Sequence, residues 1–344
     1  MESVVNIEGK RPFLVDVPVR VNVWIRPECQ RTQFEVLKKA CPSIIVLQSD
    51  GGRNEKEWNA IRENRKIFDE EIDWNCIIYK FYEEKNLGLY TMGEKITNFI
   101  WEHFDRCIFL EDDQIPAVSF FRFCAELLEK YKDDYRISRI CGTNSVGTWE
   151  DASSDYFFSN DGSIWGTATW KRVIKQRDEK FAYGKDAYVM NLFKKQTKPN
   201  IYKLLEGYTK NQYYGGHVAG GEFWIEFCKV AYNQVQIIPR RNLISNIGYG
   251  EGSAHANGAS IKEAIPKYMF LPIYELEFPI KHPQYIIPDN EYSKRVLKDL
   301  GEGYPFLKIC RRIKYFGLLI IHGKFKYIIQ KMANKVFIKK GIEK

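Results

Sequence analysis

The chain has no apolar run near the ~18 residues that a bilayer-spanning helix requires; its longest candidate, Tyr315 to Ile321, is far shorter. No two of its cysteines, at 29, 41, 76, 107, 124, 141, 228 and 310, stand at CxxC spacing, which removes zinc ribbons and thioredoxin-like redox motifs. Several cysteines sit inside apolar runs, Cys107 before Ile108-Phe109-Leu110 and Cys141 after Ile140, and the set is read as reduced, buried small hydrophobes. There is no P-loop, no internal repeat and no low-complexity tract. Met1-Glu2-Ser3-Val4-Val5 lacks the basic-then-apolar pattern of a signal peptide, so a cytoplasmic chain is expected.

What is present is a folded composition. At 44% hydrophobic and 28% charged over 344 residues, disorder, collagen and coiled coil are excluded as the main architecture. The length suits two average domains or one large α/β domain. Aromatic residues reach 15%; most belong in a core, and some can offer flat faces to a planar or sugar-like ligand.

The charge is unevenly placed. Of the net +8, the stretch Lys308–Lys344 holds eleven Lys/Arg against one Glu, and the other 307 residues hold 41 basic and 43 acidic groups. A nearly neutral body argues against nucleic-acid binding, which needs its basic patch on the fold itself. The basic tail favours an anionic surface such as a membrane leaflet. Phe306, Leu307, Ile309 and Ile313 interleave with Lys308, Arg311, Arg312 and Lys314, and Phe325 to Phe337 repeats the mixture. Residues 304–344 are therefore expected to form a basic amphipathic tail lying in a membrane interface; the plainer alternative is a helix packed on the body with a basic outer face.

The first part of the chain alternates strand and helix. Strands are expected at Val21–Ile25, Ser43–Leu47, Asn75–Phe81, Arg106–Leu110 and Ile137–Cys141, with helices at Thr32–Ala40, Glu55–Glu71, Met92–His103 and Val118–Tyr131. That rhythm predicts right-handed βαβ units in an α/β fold with a mostly parallel central sheet flanked by helices. Ligands of such sheets bind beyond the carboxyl ends of the strands. This singles out Arg26, Asp50, Leu87-Gly88 and Glu111-Asp112-Asp113. Residues 142–249 are less regular and richer in Trp, Tyr and Gly.

Phe109-Leu110-Glu111-Asp112-Asp113 is the strongest local feature. Three carboxylates after a hydrophobic strand repel one another unless a cation sits there, and Mg²⁺ or Mn²⁺ commonly bridges carboxylates to a diphosphate. A solvated acidic turn before Pro116 is an equally good reading of the triplet alone; its place in a parallel sheet favours the metal. Asp50-Gly51-Gly52 reads either as a nucleotide-contacting loop or as a plain turn. Gly248-Tyr249-Gly250-Glu251-Gly252 lacks the spacing and context of a dinucleotide fingerprint.

Several ordered segments carry a family resemblance over roughly residues 20–257. Phe109–Pro116 followed by Phe120-Phe121-Arg122-Phe123-Cys124 resembles the HlpA-like group of bacterial sugar transferases. It is also similar to the N-acetylglucosaminyltransferase I family, where Glu-Asp-Asp serves as the DxD motif. Arg26-Pro27, Ser49-Asp50-Gly51, Asn86-Leu87-Gly88, the WGxATW-like box Trp165–Trp170 and the box Pro239 to Gly250 stand in the same order.

The resemblance implies a GT-A fold over residues 15–300, with a nucleotide-sugar half at 20–145 and an acceptor half at 146–257. It implies a metal-dependent glycosyltransferase that moves a sugar from a nucleotide-sugar donor, a UDP-sugar, to a glycan or lipid-linked acceptor in bacterial surface polysaccharide synthesis, with inversion. Asp113 would hold Mn²⁺ or Mg²⁺, with Glu111 and Asp112 on ribose, sugar or metal-bound water. Arg26 and Asp50 would hold the nucleoside end, and Gly88, Trp165 and Gly166 would complete the donor site. The general base falls on Glu222, where the family has Asp, with Glu226 as its rival. His255 either completes the metal shell, touches the diphosphate or is structural. The implied place is the inner face of the cell membrane. Two other classes remain: a nucleotidyltransferase, which lacks its triphosphate loop here, and a non-catalytic glycan-binding or membrane-surface protein.

Overall fold

The computed structural model describes residues 2–6, 10–214, 217–249, 261, 265–325, 327 and 329. The edge strand β1 (Glu2–Asn6) precedes β2 (Val15–Asn22). Val15, Val17, Val19 and Val21 are all buried, so β2 lies in the interior of the sheet. It starts six residues before the expected Val21, because Asp16 and Pro18 interrupt the apolar pattern. Pro18 is tolerated at an irregularity, where the register against the next strand shifts between Val15 and Pro18.

From there the expected rhythm holds. Pro27 opens α1 (Pro27–Ala40), which stops at Cys41 with φ 45° and the Cys41 amide donating to Leu37 O. Then come β3 (Pro42–Ser49), α2 (Glu55–Glu70), β4 (Cys76–Tyr82), α3 (Leu89–His103) and β5 (Arg106–Leu110). Asn54 caps α2 by accepting from the Glu57 amide at 3.0 Å. A short β6 (Gln114–Pro116) leads into α4 (Ser119–Lys130) and β7 (Ile137–Cys141).

The less regular half continues the same sheet through β8 (Tyr156–Ser159) and β9 (Thr167–Trp170). After the single turn α5 (Lys171–Ile174), three helices follow: α6 (Ala187–Gln196), α7 (Pro199–Lys210) and α8 (Gly221–Ala231). They enclose an aromatic cluster of their own that includes Phe181, Tyr208, Phe223 and Trp224. The chain returns through β10 (Val235–Pro239) and β11 (Ile244–Asn246), and ends in α9 (Asn290–Leu300) and α10 (Pro305–Ile321).

The main sheet has the order β1-β4-β3-β2-β5-β9-β7-β10-β8. Strands β4, β3, β2, β5, β7 and β10 run one way, while β1, β9 and β8 run against them. Both faces are covered. Ile45 and Leu47 of β3 pack with Phe34, Phe68 and Phe120 on one side, and Val46 between them packs with Met92, Ile96 and Ile100 of α3 on the other. Trp170 is core, its Nε1 donating to Leu128 O at 2.9 Å.

Two features position the site. From β2 the chain winds outward to β3 and β4, then crosses back to β5 on the other side of β2. The β2/β5 junction is thus the topological switch point, where open α/β sheets bind ligands. Second, β11 pairs antiparallel with β6, Asn246 opposite Gln114, and carries residues 247–248 to the carboxyl end of β5. Among the described residues no helix is long and apolar enough to cross a membrane. All eight cysteines are free; Cys310 is exposed on α10 and Cys29 half-buried, so burial holds for the other six and not for the set. Cys310 differs because α10 turns that side to solvent.

Candidate functional site

The acidic triplet leaves β5 at the switch point and is held from β2 and from the start of α1. Arg20 and Asn22 lie two residues apart on β2 and therefore share a face. Arg20 donates from both terminal nitrogens to Glu111 Oε1, at 3.0 and 3.1 Å, and Asn22 donates to Oε2 at 2.7 Å. Arg26 grips Asp112 with two nitrogens, Nε to Oδ2 at 2.9 Å and Nη2 to Oδ1 at 2.5 Å. Its third nitrogen, Nη1, donates to Asp113 Oδ2 at 2.9 Å.

The charge problem posed by three adjacent carboxylates is answered by two arginines, because guanidinium forks match carboxylates bidentately. Asp112 is 3% exposed. Burial pushes its carboxyl up to about 6, with the Arg26 hydrogen bonds and charge opposing a further rise. For Arg26 burial pulls downward, and the two aspartates outweigh it and hold the guanidinium charged.

The backbone of the triplet is fixed by two buried glutamines. Gln33 of α1 donates to Glu111 O and Gln114 O at 2.7 and 2.6 Å. Gln114 Oε1 accepts from the amides of Glu111 and Gly166 at 3.0 and 2.8 Å. The Ile247 amide donates to Asp113 O at 2.9 Å. A Cβ on Gly248 would stand 2.1 Å from Asp113 Oδ2 and 2.2 Å from Arg26 Nη1, so a larger residue there displaces that carboxylate and guanidinium. Gly248 is thus a close-packing residue of this site.

The other expected residues lie along the same edge. Asp50 follows β3 and accepts from the amides of Gly51 and Leu87 through Oδ1 and of Gly88 through Oδ2, at 2.8–2.9 Å. It ties the β3–α2 loop to the start of α3. A Cβ on Gly51 would lie 2.5 Å from the Lys85 carbonyl carbon, so the glycine serves loop-on-loop packing. Gly88 has φ 83° and opens α3. Arg65 braces this loop from α2, donating to Ser49 Oγ and to the carbonyls of Ser49, Asp50 and Glu83. Gly166, at φ 59°, reaches the triplet through Gln114. Trp165 is half-buried, its ring 5.5 Å from Tyr268.

Glu222 is exposed in the first turn of α8. Glu226, one turn on, is paired with Lys229 at 2.6 Å. Gly220, just before α8, lies beside Tyr90 in the first turn of α3, and Tyr90 stacks on His217 with ring centroids 4.4 Å apart. The structure therefore brings Arg26, Glu111, Asp112, Asp113 and Gly166 together at the switch point. Asp50 and Gly88 meet at a second place along the edge, and Glu222 sits near a third. His255 lies outside the described residues.

Sequence reasoning passed over Arg20, Asn22, Gln33 and Gln114. A signal for the first pair existed: two polar residues on one face of a valine-rich strand. Among the described residues no three His, Cys, Asp or Glu side chains gather as a metal cage. Asp113 Oδ1 is the one carboxylate oxygen of the triplet with no hydrogen-bond partner among them. A single carboxylate beside substrate phosphates is a donor set that Mg²⁺ and Mn²⁺ accept, so the residues present fit a metal in that form only.

No protein-family model and no curated protein matches the sequence. Solved structures share part of its backbone. One is the mannosyltransferase PcManGT from Pyrobaculum calidifontis in complex with GDP-Man and Mn²⁺, at 10% identity and TM-score 0.30, over 50% of this chain and 49% of that one. The chain thus spans about half the length of that protein. Another is a UDP-glucose pyrophosphorylase complexed with UDP-glucose, at 9% identity and TM-score 0.32, over 66% of this chain and 91% of that one. At these values the likenesses carry no argument, and the reading below rests on this chain's own residues.

Proposed function

We propose that the chain is a GT-A-type glycosyltransferase that takes a nucleotide-sugar donor, a UDP-sugar, and a glycan or lipid-linked acceptor in bacterial surface polysaccharide synthesis. The observation that carries this reading is the placement of Glu111-Asp112-Asp113 at the switch point of a doubly covered sheet, with Asp113 Oδ1 unpaired among the described residues. The family resemblance of the motif boxes agrees with it.

In this reading Asp113 holds Mn²⁺ or Mg²⁺ through Oδ1. The metal, when bound, neutralises charge on the leaving diphosphate. Arg26 holds the Asp113 carboxylate, the Ile247 amide holds its carbonyl, and Gln33 fixes the carbonyls of Glu111 and Gln114 on either side, so that little is reorganised on donor binding. The acceptor hydroxyl oxygen attacks the anomeric carbon as the nucleoside diphosphate departs, inverting that centre. Glu222 takes the hydroxyl proton. Trp165 offers an aromatic face to the sugar, and His255 supports the diphosphate or the metal.

Incubation with a panel of UDP- and GDP-sugars and Mn²⁺ tests the reading through release of nucleoside diphosphate. One donor consumed, with consumption abolished in Asp113→Ala, is the expected result; no donor bound or consumed overturns it. A non-catalytic glycan-binding role is the second reading. It is favoured by the complete pairing of Glu111 and Asp112 with arginine and asparagine, which leaves those two carboxylates no free oxygen.

A further inference from the structure

Among the described residues the α10 helix docks on the body by one side. Leu319 is buried against Ile261, and Arg311, itself exposed, reaches across to cap α9, donating to Asp299 O at 2.7 Å and Lys298 O at 3.2 Å. The opposite side carries Phe306, Ile309, Ile313, Phe316 and Ile320, whose three- and four-residue spacing makes one stripe. These residues are 73, 52, 67, 48 and 45% exposed. A stripe of this length on a surface helix marks an interaction site.

Charge decides what covers it. At 100° per residue, Arg312 and Lys314 fall on either flank of the stripe, and no Asp or Glu occurs between Pro305 and Ile321. A second copy of α10 would press these cations against their equivalents with no acidic partner on either helix. An anionic bilayer surface instead accepts apolar side chains below its headgroups and basic ones among them.

We infer that α10 lies in the interface of an anionic lipid bilayer, with Phe306, Ile309, Ile313, Phe316 and Ile320 among the acyl chains and Arg312 and Lys314 at the phosphates. This inference stands apart from the transferase reading.

The test is flotation of the full chain with vesicles of phosphatidylcholine alone or with one-third phosphatidylglycerol, in low salt and in 1 M salt. Wild type should float with the anionic vesicles, fail to float with the neutral ones, and lose most binding in 1 M salt, where the Debye length falls to about 3 Å. The pair Ile309→Asp with Ile313→Asp, and the pair Arg312→Glu with Lys314→Glu, should each weaken anionic-vesicle binding at least about tenfold. All four side chains are exposed, so the variants should fold, which thermal melting checks. A solvatochromic dye on the exposed thiol of Cys310 reads the same event without any variant and should shift to the blue on anionic vesicles. No flotation, flotation that ignores the Ile309/Ile313 pair, or a dye shift absent on vesicles overturns the inference. So does a dimer of the wild type that the same pair dissolves while vesicles are left unbound.

Discussion

Arg26 and Asp112, 86 residues apart in the chain, are joined by a two-pronged ion pair in which both carboxylate oxygens are taken by one guanidinium. The pair fastens the β2–α1 loop to the end of β5 and so closes the switch point. Losing its cation leaves a carboxylate that is 3% exposed with no charge partner.

Arg26→Ala is therefore expected to cost about 3 kcal/mol or more in unfolding free energy, the range for breaking a buried pair. Arg26→Lys restores the charge but not the fork, and should recover only part of the loss. Urea denaturation of the three proteins checks the order.

Gln114 Oε1 accepts from two buried amides on different segments, Glu111 and Gly166. Gln114→Leu keeps the volume and removes both acceptors. Each stranded donor costs about 1–3 kcal/mol, so a clear fall in stability is expected in the same assay. An unchanged midpoint would show that the turn repacks without its glutamine.

Gly248→Ala puts a methyl where Asp113 Oδ2 and Arg26 Nη1 now stand. Stability should fall modestly, because the atoms in the way belong to the side chains of Asp113 and Arg26 and not to backbone. Binding of donor and metal should fall far more, as Asp113 is pushed out of line. Isothermal titration with Mn²⁺ and the preferred nucleotide sugar separates the two effects.

Glu222→Gln tests the proposed base. The side chain is exposed and not in the core, so folding and donor binding should be unchanged while transfer drops by about 10² or more. Full transfer in Glu222→Gln with loss in Glu226→Gln would move the role one helical turn.

The α/β rhythm was legible because short strand-like segments alternate with helical ones: Arg106–Leu110 and Ile137–Cys141 are found at their expected bounds. The start of β2 was not, since Asp16 and Pro18 disguise a strand whose alternate valines are all buried. The antiparallel insertion of β9 between β5 and β7 is a long-range pairing with no local signature. At the site, the carboxylates could be read one by one. Their neutralisation could not, because Arg20, Asn22 and Arg26 meet Glu111, Asp112 and Asp113 only after the sheet forms. Asp50 shows the converse: its position after β3 was foreseen, and its three backbone hydrogen bonds appear only in the folded loop.

The most direct test is thermal shift with a panel of nucleotide sugars, each with and without Mn²⁺, on wild type and Asp113→Ala. A ligand at a hundredfold excess over its Kd stabilises the fold by about 2.7 kcal/mol. The account predicts a metal-dependent rise in melting temperature with one donor, absent in Asp113→Ala although that variant melts cooperatively. No rise with any donor, or an equal rise in the variant, would contradict it.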